Sequence, residues 1–251
     1  MLERIQVGRT KAGLDDMNSS PIHNTPCLPD RTARETYRAT CAGFTLIEVL
    51  TVLAVVSVLM AILLPAIGKA RSTARSSTCL ARLRQWGLGT HLYAMDASGW
   101  LPADGAPNGW STANAWYADL PPMLGMPPYH AEGAWRTNAM APLGHPLWFC
   151  PSNPRRSNGH LLFHYALNRF VNGSGRDSRR RRLEDVGEAS RVVWLFDNGQ
   201  RAAVAGPGNL HRTLHRGAAN LLMLDGGVRR QPAGATTGTR GNSDGLLWEA
   251  P

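Results

Sequence analysis

A long run without charge, beginning near residue 44, constrains this 251-residue chain more than any other feature. From Val49 to Leu64 the sequence is apolar apart from Thr51 and Ser57. A helix needs roughly 20 predominantly apolar residues to cross the hydrocarbon core of a bilayer. The stretch 44–67 meets that length, so we predict a transmembrane helix there. The alternative is a core helix of a soluble protein, but such a helix rarely runs this far without a charge.

Glu48 is an acidic residue near the start of this run. A carboxylate in hydrocarbon costs at least a few kcal/mol and is usually retained for a function, with a partner nearby. No Lys or Arg lies within one helical turn on its C-terminal side, so the partner must come from elsewhere. A free α-amino group at Phe44, produced by cleavage after Gly43, would serve.

The segment from Gly43 to Leu50 (Gly-Phe-Thr-Leu-Ile-Glu-Val-Leu), followed by the charge-free run, resembles the class III signal of type IV pilins and type II secretion pseudopilins. The resemblance implies that a prepilin peptidase cuts between Gly43 and Phe44 and that Phe44 becomes N-methylated. It also implies that Glu48 pairs with a neighbouring subunit's N-terminal amine during assembly. Pro65 matches a proline that commonly bends the first helix of this family.

The same resemblance implies partners and a location. The partners are other pilin or pseudopilin subunits of a filament, an inner-membrane assembly platform and the lipid bilayer. The protein would cross the inner (cytoplasmic) membrane once, with its C-terminal domain outside the cytoplasm, and then enter a pilus or pseudopilus.

The distribution of basic residues favours the opposite orientation. Arg31, Arg34 and Arg38 precede the segment, offset by Glu35. Five basic residues follow the segment with no acidic residue among them: Lys69, Arg71, Arg75, Arg82 and Arg84. The positive-inside rule therefore places the C-terminal side in the cytoplasm. We expect the orientation of the family instead, because cleavage after Gly43 requires it.

Residues 1–43 mix Pro, Gly and charges without periodicity, and we interpret them as a leader that the peptidase removes. Met17 is an alternative start to Met1. The segment 68–98 predicts an amphipathic helix extension, closed by Asp96, Ser98 and Gly99. The apolar stripe that we expect to pack on a small domain consists of Ile67, Ala70, Ala74, Ala81, Leu88, Leu92 and Met95. Gly87 and Gly89 indicate either close packing or fraying.

The remaining chain predicts a small globular part. We expect a long, tryptophan-rich loop over 99–160, anchored by buried aromatic side chains. Alternating and β-branched patterns over 161–231, with an Asp225-Gly226 hairpin signal, predict an antiparallel sheet of about four strands. The tail 232–251 is loose apart from Leu246 to Trp248, which could dock. The predicted fold class is therefore α+β, pilin-like.

His215, Asp225 and Gly226 stand at His-x9-Asp-Gly spacing. Together with the sequences of 79–102 and 149–152, this spacing resembles a subgroup of pseudopilin-like proteins that carry such a C-terminal motif. Physically, Gly226 supplies a positive φ in the turn, and Asp225 can accept a hydrogen bond from the turn backbone.

Two cysteines remain if the leader is removed, Cys79 and Cys150. Outside the cytoplasm they could form a disulfide, or both thiols could stay free. No Cys-x2-Cys spacing of a zinc site is present. We expect no cofactor. Calcium stays open as an alternative, with Asp197, Asn198 and Asp225 as oxygen ligands.

The sequence lacks the motifs of common hydrolases, metalloproteases and nucleotide-binding enzymes, so we expect no enzyme. The net charge of +9 suggests nucleic acid as a partner. Much of that charge lies in one run, Arg176 and Arg179 to Arg182, so we do not expect such a partner. We expect a structural subunit, a pseudopilin or minor pilin of a type II secretion or type IV pilus-like assembly. The alternative is a tip subunit that recognises a polyanion or polysaccharide through its Trp- and Arg-rich loops.

Overall fold

The computed structural model describes residues 44–172, 180–234 and 245–250. Its first element is a helix, α1, over Leu46–Asp96, with Pro65 in its interior. Ser98 and Gly99 follow it in left-handed conformation, with φ of 53° and 87°. The Gly99 amide donates to the Ala94 carbonyl at 2.7 Å, which satisfies a backbone acceptor of the last turn. The helix therefore closes at the residues that the sequence indicates.

The described residues form one five-stranded sheet in the order β3-β1-β2-β4-β5. The strands are β1 Tyr165–Asn168, β2 Val193–Asp197, β3 Val204–Ala205, β4 Ala218–Met223 and β5 Val228–Pro232. This confirms the α+β class. The sheet differs from the predicted antiparallel sheet of about four strands, because β1 pairs with β3 in parallel. Two residues are too few for β3 to show a strand pattern in the sequence.

The hairpin between β4 and β5 turns at Asp225 and Gly226, as the Asp-Gly signal predicts. Gly226 has a φ of 86°. The Gly227 amide donates to Asp225 Oδ1 at 2.8 Å, the local bond expected of an aspartate in a turn. The two residues that end the His-x9-Asp-Gly motif therefore build a turn.

The C-terminal half of α1 packs against the sheet, but not through the predicted stripe. That prediction is wrong: Leu88 and Met95 are 56% and 80% exposed. The buried face runs instead through Cys79, Leu83, Trp86, Gly87, Gly89, Thr90 and Ala94. Counting only aliphatic residues misplaced the stripe, because the true face combines an indole with small and weakly polar side chains.

The region between α1 and β1, where the sequence predicts a long loop over 99–160, also holds regular structure. It contains a second helix, α2, over Trp116–Met123, and short 3₁₀ turns. The side chains of Trp116, Tyr129 and Trp148 are at most 3% exposed. The expectation that aromatic side chains anchor this region is therefore confirmed, and they form much of the hydrophobic core.

The docked segment near the C-terminus extends the region around β2. The Val193 amide donates to the Leu247 carbonyl at 2.9 Å, and the Leu247 amide donates to the Arg191 carbonyl at 2.8 Å. Asn168 Nδ2 donates to the Trp248 carbonyl at 2.8 Å. Trp248 is fully buried, so the predicted docking of this segment is confirmed.

Candidate functional site

The start of α1 carries a reciprocal pair of hydrogen bonds between Thr45 and Glu48. The Thr45 amide and Thr45 Oγ1 both donate to Glu48 Oε2 at 2.8 Å. The Glu48 amide donates to Thr45 Oγ1 at 3.3 Å. This is a capping box, in which a Thr-x-x-Glu pair satisfies two backbone donors that a helix start leaves open. Sequence reasoning missed Thr45, although the Thr-x-x-Glu spacing was visible.

The helix that follows presents an exposed apolar surface. Phe44, Leu46 and Ile62 are 84%, 82% and 69% exposed, and every residue from 44 to 67 is exposed. In length and composition α1 could cross a membrane, and none of its most apolar 18-residue window is buried. Apolar surface on this scale marks a membrane or protein contact. Gly43, on the other side of the predicted cleavage point, lies outside the described residues.

A second feature lies in the core of the globular part. One potential ligand atom from each of Cys79, Cys150, Asp197 and His215 lies within 4.8 Å of the others. Cys79 Sγ is 3.2 Å from Asp197 Oδ1, and Cys150 Sγ is 3.4 Å from His215 Nε2. His215 Nε2 is 2.9 Å from Asp197 Oδ2. We call these four residues the buried cluster; each is at most 2% exposed.

Four separate parts of the chain supply the buried cluster. Cys79 lies on α1, and Asp197 is the last residue of β2. Cys150 follows the 3₁₀ turn Pro146–Trp148. The His215 amide donates to the Ala218 carbonyl at 3.0 Å, which fixes this residue just before β4. The cluster therefore ties the helix, the long connection and two strands together.

Neighbouring polar groups hold the cluster in place. Tyr165 Oη lies 3.3 Å from Cys79 Sγ and donates to the Phe149 carbonyl at 3.2 Å. The backbone N–H of Asn220 donates to Asp197 Oδ2 at 2.7 Å. The Cys150 amide donates to His164 Nδ1 at 3.1 Å. Each of these bonds orients a cluster residue or its immediate neighbour.

The electrostatics of the cluster are dominated by burial and by one ion pair. Burial opposes protonation of His215, but the hydrogen bonds and charges of Asp197 and Cys79 together outweigh it and raise the pKa of His215 to about 9. Burial, together with the nearby Cys150 and Asp197, raises the pKa of the Cys79 thiol. Burial lowers the pKa of the neighbouring His164 to about 4. The raised pKa of His215 pairs a protonated imidazole with the Asp197 carboxylate, beside the Cys79 thiol.

The structure separates the two ends of the His-x9-Asp-Gly motif. His215 precedes β4, whereas Asp225 follows it, because β4 spans Ala218–Met223. His215 therefore pairs with Asp197 at one end of the strand, and the Asp-Gly turn lies at the other end. Asp225 is exposed, so the structure does not bring the two calcium candidates Asp197 and Asp225 together.

Cys79 and Cys150, for which the sequence leaves both a disulfide and free thiols open, lie close to each other. Both are buried and carry free thiols in this structure. The disulfide stays an untested alternative.

Residues 38–64 match the family described as the prokaryotic N-terminal methylation motif. The match supports a type IV pilin-like signal. With the exposed apolar helix, it fits a single-pass membrane-anchored protein. Neither the curated proteins nor the solved structures give a match to this chain.

Proposed function

We propose that this chain is a structural subunit, a pseudopilin or minor pilin, of a type II secretion or type IV pilus-like filament. A prepilin peptidase cuts between Gly43 and Phe44, and Phe44 is N-methylated. The inner-membrane helix holds the mature subunit, with its C-terminal domain outside the cytoplasm, until an assembly platform adds it to the filament. The His-x9-Asp-Gly spacing of His215, Asp225 and Gly226 supports membership of the subgroup with that motif.

One observation carries this proposal: the methylation motif lies at the start of a helix whose apolar residues are exposed without interruption from 44 to 67. A bilayer covers such a surface before assembly, and neighbouring copies of the helix cover it afterwards. The Glu48 carboxylate lies at the start of this surface. In the filament the terminal amine of a neighbouring subunit would form an ion pair with this carboxylate.

The N-terminus of the mature protein tests the processing step. Mass spectrometry of protein purified from the membrane should find a chain that begins with N-methylated Phe44. The matched control is Gly43→Val, which should accumulate with the leader attached. A mature protein that begins upstream of residue 44 would overturn the proposal.

The role of Glu48 is tested by Glu48→Val and Glu48→Gln. Both variants should stay in the membrane and fail to enter filaments, because each lacks the charge that pairs with the amine. Glu184→Val is the matched control, since Glu184 is an exposed residue of the globular part that pairs with Arg182. Filament incorporation of Glu48→Gln at the wild-type level would exclude a charge role.

A second candidate function, binding of a polyanion or polysaccharide, is favoured by a basic cavity of about 580 Å³. Its lining includes Arg155, Arg156 and Arg201. An adjoining cavity of about 370 Å³ shares Arg201 and adds Trp110, which is 66% exposed. No carboxylate is among the described residues that line either cavity. Trp100 is also exposed, at 38%, and Arg180 and Arg182 lie over its ring. The described residues therefore offer two places that fit the predicted Trp- and Arg-rich surface, and this corner is the one that forms a cavity.

Heparin, with neutral dextran as the control ligand, tests this candidate. Binding that weakens as salt rises and is lost in Arg155→Gln/Arg201→Gln would support it, because screening weakens exposed charge contacts. Arg180→Gln/Arg182→Gln removes the same charge from a site where both guanidinium groups lie over Trp100, and should bind normally. Equal loss of heparin binding in both double variants would show that binding depends only on net charge, which would contradict a specific site at this cavity.

A further inference from the structure

The buried cluster combines ligand types that a borderline-soft metal ion prefers. It offers two cysteine sulfurs, one imidazole nitrogen and one carboxylate oxygen, all within 4.8 Å of one another. Zinc is bound in structural sites by four such ligands in a tetrahedron. Calcium and magnesium take oxygen ligands and would leave the two sulfurs unused. The chemistry of the donor set therefore selects zinc over the hard cations.

The spacing of the ligand atoms also fits zinc. With Zn–S bonds of about 2.3 Å and Zn–N or Zn–O bonds of about 2.0–2.2 Å, a tetrahedron places ligand atoms roughly 3.2–3.8 Å apart. The distances within the cluster are 3.2 Å from Cys79 Sγ to Asp197 Oδ1 and 3.4 Å from Cys150 Sγ to His215 Nε2. His215 Nε2 lies 2.9 Å from the other carboxylate oxygen, Asp197 Oδ2, so an ion held through one oxygen of Asp197 needs a small shift of the Asp197 or His215 side chain.

The groups around the cluster supply the second shell that a zinc site needs. Two guanidinium groups lie beside it: Arg82 donates to the carbonyl of Phe149, next to Cys150, and Arg230 donates to the carbonyl of His215. Two thiolates and a carboxylate carry one negative charge more than the ion neutralises, and these arginines offset it. The Asn220 amide fixes the Asp197 carboxylate. Outer-shell contacts of this kind orient the ligands and tune metal affinity.

A cavity lies beside the cluster. His215 lines this cavity of about 470 Å³ together with Ser72, Ser76, Arg216 and Arg230. The His215 side chain itself has no exposed surface, so an ion reaches the cluster only when this wall moves. Within the described part of the chain, the buried His215 Nδ1 has no hydrogen-bond partner, so only Nε2 is held by its neighbours.

We propose that Cys79, Cys150, Asp197 and His215 bind one zinc ion in a closed, four-ligand structural site that joins α1 to the sheet. Binding releases the thiol protons and the proton that His215 shares with Asp197. The site has no open coordination position, so it stabilises the fold rather than performing a reaction. It also excludes the disulfide between Cys79 and Cys150, since the same sulfurs cannot serve both.

The first test uses the full-length protein in detergent, without substitutions. Zinc alone is added to the reduced protein, excess is removed by dialysis, and bound metal is counted by mass spectrometry of the elements. We expect about one zinc per chain and protection of both Cys79 and Cys150 from alkylation, which calcium does not give. Cobalt in place of zinc should give a thiolate charge-transfer band. Absence of bound zinc, or a purified protein in which Cys79 and Cys150 are joined, would overturn the proposal.

The second test uses variants with matched controls. Cys150→Ser and His215→Ala should each weaken zinc binding by more than the factor of about 10–100 that is typical when an outer-shell group is lost. Asp225→Asn and His211→Asn remove a carboxylate and an imidazole that lie outside the cluster, and both should keep about one zinc per chain. Zinc retained equally in all four variants would show that the metal is bound elsewhere and would overturn the proposal. If a ligand variant fails to fold, the alkylation measurement on the unsubstituted protein decides.

Discussion

The capping box at the start of α1 gives Glu48 a partner within its own chain. Both bonds from Thr45 go to Oε2 of the carboxylate. A terminal amine from a neighbouring subunit would therefore meet a carboxylate that is already oriented. Thr45 acts in this arrangement as a positioning residue for the charge that the proposed assembly needs.

Thr45→Val should loosen the first turn of α1, because valine keeps the shape of threonine but loses the hydroxyl. Loss of an N-cap costs about 1 kcal/mol, which corresponds to roughly fivefold faster amide exchange in that turn. Hydrogen exchange of the protein in detergent measures this. Thr45→Ser should behave like the unsubstituted protein, and so should Thr51→Val, whose hydroxyl donates only to the Glu48 carbonyl. Unchanged exchange in Thr45→Val would show that the cap is not formed in solution.

The residues of the buried cluster show what a sequence can and cannot reveal at this scale. Cys79 and Cys150 stood out as a possible disulfide pair, Asp197 as a candidate calcium ligand and His215 as part of a motif. Each was noticed for a different reason, and only the fold brings all four together. They are far apart in the sequence, and local patterns carry no information about which distant residues meet. Thr45 and Glu48, by contrast, are three residues apart and could have been paired from spacing alone.

At the scale of elements, α1 and the β4–β5 hairpin approach each other at two glycines. A Cβ on Gly87 would lie 3.0 Å from Leu222 Cδ1 and 3.3 Å from the Cα of Gly226. Gly226 itself has a φ of 86°, a conformation that other residues rarely adopt. The Asp-Gly end of the His-x9-Asp-Gly motif therefore lets a turn lie directly against the helix.

Gly87→Val should destabilise the globular part by about 1–3 kcal/mol, because its side chain would overpack the contact with Leu222 and Gly226. Thermal unfolding followed by circular dichroism measures the loss. Gly68→Ala is the matched control: no atom lies within 4 Å of its Cβ position, so it should be neutral or stabilise α1 by up to about 1 kcal/mol. A melting temperature of Gly87→Val equal to that of the control would show that the hairpin does not pack here.

The segment near the C-terminus should contribute strongly to stability. Trp248→Ala leaves a large cavity and should cost about 3–5 kcal/mol, since this indole is fully buried beside Phe196. In a domain of this size that lowers the melting temperature by on the order of 10 °C. Trp110→Ala, which truncates an indole that is 66% exposed, should change it by much less. Similar melting temperatures for the two variants would contradict the docking of this segment.

The elements that could be predicted are those whose pattern is local. The Asp-Gly turn and the strand β2 could be predicted, because the first follows from a turn residue and the second from a β-branched run. Helix α2 was missed because Pro121 and Pro122 lie inside it, and proline normally argues against a helix. Burial of Trp116 and Tyr117 at 0% exposure overrides that local preference. The buried face of α1 was misplaced for a similar reason: tertiary packing buries Trp86 and Thr90 and leaves the aliphatic residues of the predicted stripe exposed.

At the scale of the whole molecule, the basic residues after the apolar segment do not all act as free charges. The Arg82 guanidinium donates to the Phe149 carbonyl, so it belongs to the folded part. Lys69, Arg71, Arg75 and Arg84 are exposed on α1. These four, and not Arg82, resemble the loop charges on which the positive-inside rule is based. The rule therefore opposes the proposed orientation less strongly than the sequence alone indicates.

We expect alkaline phosphatase fused after the C-terminus to be active, because it folds only outside the cytoplasm, and a fluorescent protein that matures only in the cytoplasm to stay dark at the same position. Replacing Arg31, Arg34 and Arg38 with glutamine removes the positive charges that precede the segment and should shift part of the protein to the opposite orientation, lowering phosphatase activity. The matched control replaces Lys69, Arg71 and Arg75 with glutamine, which removes three charges on the other side and should leave phosphatase activity equal or higher. A bright fluorescent fusion and an inactive phosphatase in the unsubstituted protein would place the globular part in the cytoplasm, and the proposed route into a filament would then be closed.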